Sequence, residues 1–180
     1  MCAEVVRPPR VARPARPAVP ALPTLDALDG THAQMMATLS QLGGLMRHLR
    51  ENGVDDTARR NAADICAFFV ETARQHHADE ERAVFPALFA SGDAEMRAHV
   101  ERLQQDHGWL EEDWIELEPQ LQAVAQGYSW YDIDELSHAV DVFVNLYREH
   151  IALEESMIYP AARKRAAVAQ AGVAQRLEQG

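Results

Sequence analysis

Apolar residues recur along most of this chain at three- and four-residue intervals, which is the pattern of a helix with one buried face. In residues 24–52 these positions are Leu25, Leu28, Met35, Leu39, Leu42, Met46 and Leu49. Similar stretches cover residues 56–89, 93–126 and 132–165. No strand-like alternation of apolar and polar residues competes with this periodicity. The pattern therefore predicts four long helices joined by short connections.

Four such helices predict an all-α fold, an antiparallel up-down-up-down four-helix bundle over residues 24–165. Pro119 lies inside the third helix and predicts a bend there, because proline lacks a backbone donor. Residues 1–23 are rich in arginine and proline, which predicts a disordered tail. Residues 166–180 are rich in alanine and glutamine and predict a helix-prone C-terminal tail with little to bury.

A segment of the second helix recurs in the fourth: HHADEERAVFPA begins at residue 76 and HIALEESMIYPA begins at residue 150. With an offset of 74, residues 69–87 match residues 143–161 at nine of nineteen positions. The first and third helices correspond at an offset of 75, which places His32 opposite His107. The repeat predicts two helical hairpins, each with one lone histidine and one His-x-x-x-Glu motif.

The polar residues of the two hairpins are predicted to meet inside the bundle. With a rise of about 1.5 Å per residue, all four histidines fall at one height when they are counted from the turns. Residues four apart share a helix face, so each His-x-x-x-Glu motif directs two side chains at one point on an inward face. The candidate metal ligands are His32, His76, Glu80, His107, His150 and Glu154.

Such a cluster is costly to bury without a bound cation. Imidazole and carboxylate suit iron, manganese or zinc, and bundle cores host carboxylate-bridged dinuclear sites. In the symmetric arrangement each metal has two histidines, while Glu80 and Glu154 bridge both metals. We expect two iron ions with an oxo or hydroxo bridge and an open position for O₂, peroxide or NO. The spacing alone leaves manganese and zinc open.

On these residues the chain resembles the hemerythrin-like, or HHE cation-binding, family. The resemblance covers about residues 24–165 and is carried by His32, HHADEERAVFPAL, the DHGWL segment around His107, and HIALEESMIYPA. It implies an antiparallel four-helix bundle around a non-haem di-iron centre with the same six ligands. The family's oxygen carriers have a fifth histidine on the third helix, where this chain has Leu103 and Glu111. Four histidines and two glutamates are more similar to the repair-of-iron-centres proteins.

Several residues beside the motifs admit two interpretations. His77 aligns with Ile151 in the repeat, so we expect it to lie outside the ligand set. Glu81 and Glu155 recur in both copies. They are either hydrogen-bond acceptors for ligand imidazoles or surface charges.

Further residues near the predicted site also have open roles. Asp29 and Asp106 either orient His32 and His107 or are ordinary solvated acids, and Glu111 is open as an additional ligand. Aromatic residues near the motifs are predicted to pack the core rather than to take part in redox chemistry; they are Phe85, Trp109, Trp114 and Tyr159.

Charge and cysteine content narrow the function. Residues 1–23 carry +3 within a total of −11, which leaves −14 for the rest of the 180 residues. Residues 24–180 are too acidic to favour binding to nucleic acid. No run of apolar residues is long enough to predict a membrane span. The two cysteines, Cys2 and Cys66, fit a reducing compartment, so we expect a cytoplasmic protein.

Three classes of function remain at this point. The favoured one is a di-iron protein that binds O₂, NO or related oxidants for sensing, scavenging or iron handling, with an electron-donor protein as a further partner. The second is an enzyme that reduces NO or peroxide or repairs damaged iron centres, and the third is a metal-stabilised structural domain. The first is favoured because no dedicated acid, base or cysteine accompanies the ligands. Whether the chain is an enzyme and its oligomeric state stay open.

Overall fold

A computed structural model describes residues 23–178, so most of the predicted N-terminal tail lies outside the described residues. Within them the chain forms helices and no strand, which confirms the predicted all-α fold. None of these helices combines the length and apolar character needed to cross a membrane. The elements are α1 Leu25–Asn52, α2 Asp56–Ala67, a π-helix Phe68–Ala73, α3 Arg74–Ala83, α4 Phe85–Phe89, α5 Ala94–Ala125, α6 Ile133–Leu153, a second π-helix Glu154–Ile158, and α7 Tyr159–Glu178.

These elements form four helical rods, and local sequence signals mark where each rod begins and ends. A Thr or Asp side chain caps the start of every rod by accepting backbone N–H groups, at Thr24, Asp55, Asp93 and Asp132. Glycine with positive φ follows each of the first three rods, at Gly53, Gly92 and Gly127. The predicted starts at residues 56, 93 and 132 therefore agree with the structure to within one residue.

The four rods pack around a common core. Helices α1 and α5 each contact both α2 and α6. Buried apolar residues form two clusters, a larger one that contains Phe69 and Phe143 and a smaller one that contains Phe85 and Tyr159. Buried histidines and glutamates occupy the heights between the two clusters. In α1, for example, His32 lies between Leu28 of the smaller cluster and residues of the larger one.

The second and fourth rods depart from the predicted continuous α-helices. The second contains the π-helix Phe68–Ala73 and is interrupted by a turn at Val84. The fourth contains the π-helix Glu154–Ile158 and continues as α7 to residue 178. Because π-helices hydrogen-bond residue i to residue i+5, they change which side chains face the core, and they are frequent at functional sites.

Candidate metal centre

The structure places all six predicted ligand residues in one buried layer. Every rod contributes: α1, α3, α5 and α6 carry the histidines, while α3 and the second π-helix carry the glutamates. Each of the six side chains is at most 6% exposed. Their assignment as metal ligands stays a prediction, but their common location is a property of the fold.

The side chains divide into two groups whose donor atoms all lie within 4.8 Å of one another. The first donor set is His32, His76, Glu80 and Glu154. The second donor set is Glu80, His107, His150 and Glu154. The two glutamates therefore belong to both sets, while each histidine belongs to one.

Distances within the first donor set suit one metal ion. His32 Nε2 lies 3.0 Å from His76 Nε2 and 3.1 Å from Glu154 Oε2. His76 Nε2 lies 3.3 Å from Glu80 Oε1. With metal–ligand bonds of about 2.1 Å, neighbouring donor atoms of one octahedral ion lie about 3 Å apart.

The second donor set uses the other oxygen of each glutamate. His107 Nε2 lies 3.5 Å from Glu80 Oε2, and His150 Nε2 lies 3.2 Å from Glu154 Oε1. Each carboxylate therefore directs one oxygen at each set. This is the arrangement that carboxylates take when they bridge two metal ions.

The same atoms are otherwise poorly satisfied. Among the described residues, His107 Nε2, His150 Nε2, Glu80 Oε2 and both oxygens of Glu154 are buried without a hydrogen-bond partner. Leaving buried polar groups unpaired costs about 1–3 kcal/mol each, and more when the group is charged. A cation coordinated by these atoms removes that cost, so the donor set fits a metal.

In the protein without metal, the pKa values of the two glutamates are shifted in opposite directions. Burial, followed by the negative charge of Glu80, raises the pKa of Glu154 to about 8. Burial also acts to raise the pKa of Glu80, but the imidazoles of His107 and His76 outweigh it and hold that pKa well below its ordinary value. Two such close carboxylates both ionise readily only beside a strong positive charge.

Two glutamates next to the ligands accept hydrogen bonds from imidazole. Glu81 Oε1 lies 2.8 Å from His107 Nδ1, and Glu155 Oε1 lies 3.3 Å from His32 Nδ1. These contacts favour the acceptor interpretation over that of simple surface charge. Each holds its imidazole with Nε2 directed at the donor set.

The two aspartates do not contact the histidines for which the sequence suggested them. Asp29 pairs with Arg163 on the surface. Asp106 is buried, but its Oδ2 lies 3.8 Å from His150 Nδ1, so it faces His150 and not His107. Asp29 therefore agrees with the interpretation as a solvated acid, whereas Asp106 fits neither interpretation, because sequence neighbours on one helix point in different directions.

Three further residues of α5 were given expected or open roles by the sequence. Glu111 forms an ion pair with Arg74 at 3.2 Å and is in neither donor set. Trp114 packs on Phe69, as predicted for a core residue. Trp109 is 48% exposed, so the prediction that it packs the bundle was wrong.

His77 lies much closer to the centre than the repeat suggested. A ring nitrogen of His77 lies within 4.8 Å of donor nitrogens of His107 and His150, and its ring stacks on that of His107 with centroids 4.1 Å apart. Burial, and then the neighbouring histidines, lowers its pKa well below the ordinary value. The Tyr147 hydroxyl is 3.4 Å from its Nε2. The sequence pair His76–His77 indicated that a second histidine could lie near the site. The repeat argued against this, because the residue equivalent to His77 is Ile151.

A cavity of about 450 Å³ reaches His107 of the second donor set from the surface. His77 and His107 form polar parts of its wall. Apolar parts of the wall include Phe69, Leu110, Trp114 and Phe143. A smaller hollow of about 350 Å³ reaches His76 from another side.

Tyr159 is a residue near the site whose role sequence reasoning missed. It is fully buried, as predicted for a core residue. Its hydroxyl, however, donates a hydrogen bond to Glu80 Oε1 at 2.5 Å and lies 3.2 Å from His32 Nε2. The phenol oxygen therefore stands beside the first donor set.

Comparison with known proteins agrees with this geometry. The family model described as "Hemerythrin HHE cation binding domain" matches residues 24–162, which include all six predicted ligand positions. An uncharacterized protein of Haemophilus influenzae is 29% identical over 126 residues, covering 70% of this chain and 71% of that protein. No solved structure matches the chain with significant similarity.

Proposed function

Since this chain belongs to the hemerythrin HHE cation-binding family, we propose that it holds two iron ions and binds O₂, NO or a related oxidant for sensing, scavenging or iron handling. One observation carries this proposal. Two buried donor sets, each with two histidines, share the carboxylates of Glu80 and Glu154. Iron bound there would supply the redox chemistry that the protein side chains lack.

In each donor set the protein supplies only part of the ligands that an iron ion takes. Each set offers two imidazoles and one oxygen from each glutamate, which are four donors. Iron commonly takes more ligands than four, so positions remain for a small molecule. The apolar clusters above and below this layer separate it from bulk water along the bundle axis.

The cavity beside the second donor set supports access by a small, weakly polar molecule. Its wall combines the aromatic rings of Phe69 and Phe143 with the imidazole of His77. The wall is mixed in character, because charged side chains such as Arg74 and Glu111 also line the cavity. Its aromatic part suits diatomic gases, and an imidazole N–H can donate a hydrogen bond to a bound oxygen atom. We infer that O₂ or NO approaches the second metal by this path.

We further infer that the bundle consists of two duplicated hairpins with antiparallel rods. Support comes from the short connections between rods and from contacts that recur in both copies. Phe85 stacks on His107 just as its repeat equivalent Tyr159 stacks on His32. Glu81 and Glu155, which are also equivalent, each accept from the histidine of the opposite hairpin.

Electrons for the metal centre would come from a partner protein under this proposal. Cys66 is the free cysteine among the described residues, and it belongs to the larger apolar cluster. Burial raises the pKa of its thiol to about 12, so it stays protonated and unreactive. We therefore propose an external electron donor.

Metal analysis with optical spectra tests the proposed function. Protein expressed with ample iron should contain about two irons per chain, and its spectrum should change when the reduced protein meets O₂ or NO. His150→Ala should lower the iron content, because it removes one imidazole of the second donor set. His138→Ala is the matched control, since this histidine is exposed on the same helix. Iron well below one per chain in the unmodified protein would contradict the proposal.

A further inference from the structure

We propose that the phenol oxygen of Tyr159 is a protein ligand of the metal ion in the first donor set. This inference rests on the proposed function, because it assumes that a metal occupies that set. It makes the two metal positions chemically different despite the repeat. The first position has an additional oxygen donor, while the second faces the cavity.

The position of the hydroxyl group is that of a fifth donor atom. It lies 3.2 Å from His32 Nε2 and 2.5 Å from Glu80 Oε1. The distance from His32 Nε2 to Glu80 Oε1 is 4.0 Å. Around an ion with bonds of about 2.1 Å, adjacent donors lie about 3 Å apart and opposite donors about 4 Å apart. The phenol oxygen lies at about the adjacent-donor distance from His32 Nε2, and its hydrogen bond to Glu80 Oε1 would be replaced by bonds from both oxygens to the ion.

The backbone directs Tyr159 to this position through the second π-helix. In a regular α-helix each residue turns by about 100°, so Tyr159, five residues after Glu154, would point about 140° away from it. The segment Glu154–Ile158 is instead π-helical. Because π-helices pair residues i and i+5, this segment brings Tyr159 onto the face of Glu154.

The first copy of the repeat supplies an internal comparison. Phe85 occupies the position equivalent to Tyr159 and stacks on His107 with centroids 5.7 Å apart. Tyr159 stacks on His32 with centroids 5.1 Å apart. A core-packing role is met by either ring, so it gives no reason for a hydroxyl group. Only at Tyr159 does the ring carry an oxygen, and that oxygen faces the metal-binding atoms.

Tyrosine is an established protein ligand of ferric iron. On coordination the phenol O–H bond breaks, an oxygen–metal bond forms, and the proton is released to solvent as the metal is loaded. Neither the metal nor the ring changes oxidation state in this step. The phenol oxygen then fills a position on the first ion, so a small molecule binds preferentially at the second.

Optical and vibrational spectra of the iron-loaded protein test the proposal. Wild-type protein with iron(III) should show a visible charge-transfer band from phenolate to iron, with resonance-enhanced tyrosine vibrations. Growth on ring-deuterated tyrosine should shift these vibrations, and this measurement needs no substitution. Tyr159→Phe should remove the band while iron stays at about two per chain. Tyr147→Phe, which alters another buried tyrosine near the centre, should leave the band unchanged.

Iron content of the same samples separates the two hypotheses. Two irons per chain without any phenolate band would overturn the role of Tyr159 and leave the dinuclear site intact. A band that persists in Tyr159→Phe or disappears in Tyr147→Phe would also overturn it. Iron below one per chain in the wild-type protein would overturn the proposed function itself.

Discussion

The two donor sets each contain two histidines and share the same two glutamates, yet their surroundings differ. Beside the first set lies the hydroxyl of Tyr159, where the second has the bare ring of Phe85. Beside the second lies the imidazole of His77, where the other copy has Ile151. The two sets thus share their carboxylates and differ in one neighbour on each side, so two metal ions bound there would have different environments.

The largest effect should come from a residue that both sets share. Glu80→Ala removes one oxygen from each donor set, so iron content should fall from about two per chain to nearly none. Metal analysis of the purified variant measures this directly. Glu111→Ala is a suitable control, because that carboxylate pairs with Arg74 outside both sets. If the variant retained one iron per chain, Glu80 would not be required for metal binding at both sets, which would contradict its proposed bridging role.

Removing the metal should make stability depend on pH. In the metal-free protein the pKa of Glu154 is raised to about 8 from an ordinary value of 4.5. The folded state then binds a proton that the unfolded state has released, so stability should fall as pH rises from about 7 to about 8, above the range in which the lowered pKa of His77 acts in the opposite direction. Denaturant titration of chelator-treated protein measures this. The metal-loaded protein should lack this fall, and an equal fall in both forms would contradict a metal at Glu154.

Smaller, local losses are expected at the glutamates that hold the imidazoles. Glu81→Gln should weaken metal binding at the second set, and Glu155→Gln at the first, each by about 10-fold or more. The effect at Glu81 should be larger, since its contact with His107 is 2.8 Å and that of Glu155 with His32 is 3.3 Å. Competition with a chelator measures both affinities. Equal losses of metal affinity in the two variants would show that the shorter contact of Glu81 gives the second set no additional affinity.

The smallest effect should come from making the second set resemble the first. His77→Ile copies the residue at the equivalent position and should leave iron near two per chain. Loss of one hydrogen bond of about 1 kcal/mol should weaken NO binding by about fivefold. NO titration of the reduced protein tests this, with Ile115→Val, a conservative change at an exposed residue of the same cavity, as control. Loss of an iron in His77→Ile would mean that His77 is itself a ligand.

The sequence was sufficient to predict the features that depend on regular helical periodicity. Thr24 and Asp55 begin rods at the expected places, and His76 and Glu80 meet because residues four apart share a face. The repeat then brought the corresponding residues of the fourth rod to the same layer.

What the sequence did not predict depends on local departures from that periodicity. Tyr159 lies on the face of Glu154 because a π-helix separates the two residues, and no residue pattern in Glu154–Ile158 predicts a π-helix. The repeat predicts that His77 lies outside the ligand set, because its equivalent is Ile151. Its stacking on His107 does not depend on the repeat and therefore could not be predicted from it. Asp106 faces His150 because helix direction, not sequence proximity, decides its neighbour.

The second π-helix also bears on how this chain can vary in length. It holds one residue more between Glu154 and Tyr159 than a regular α-helix needs to place both side chains on one face. If one residue of this segment were deleted, the tyrosine would follow the glutamate by four positions, and regular α-helical geometry would keep the two side chains on the same face. A natural variant that is one residue shorter here should therefore keep its aromatic ring in the layer, whereas an insertion would rotate every later side chain by about 100° and should be found instead in the connections around Gly92 and Gly127.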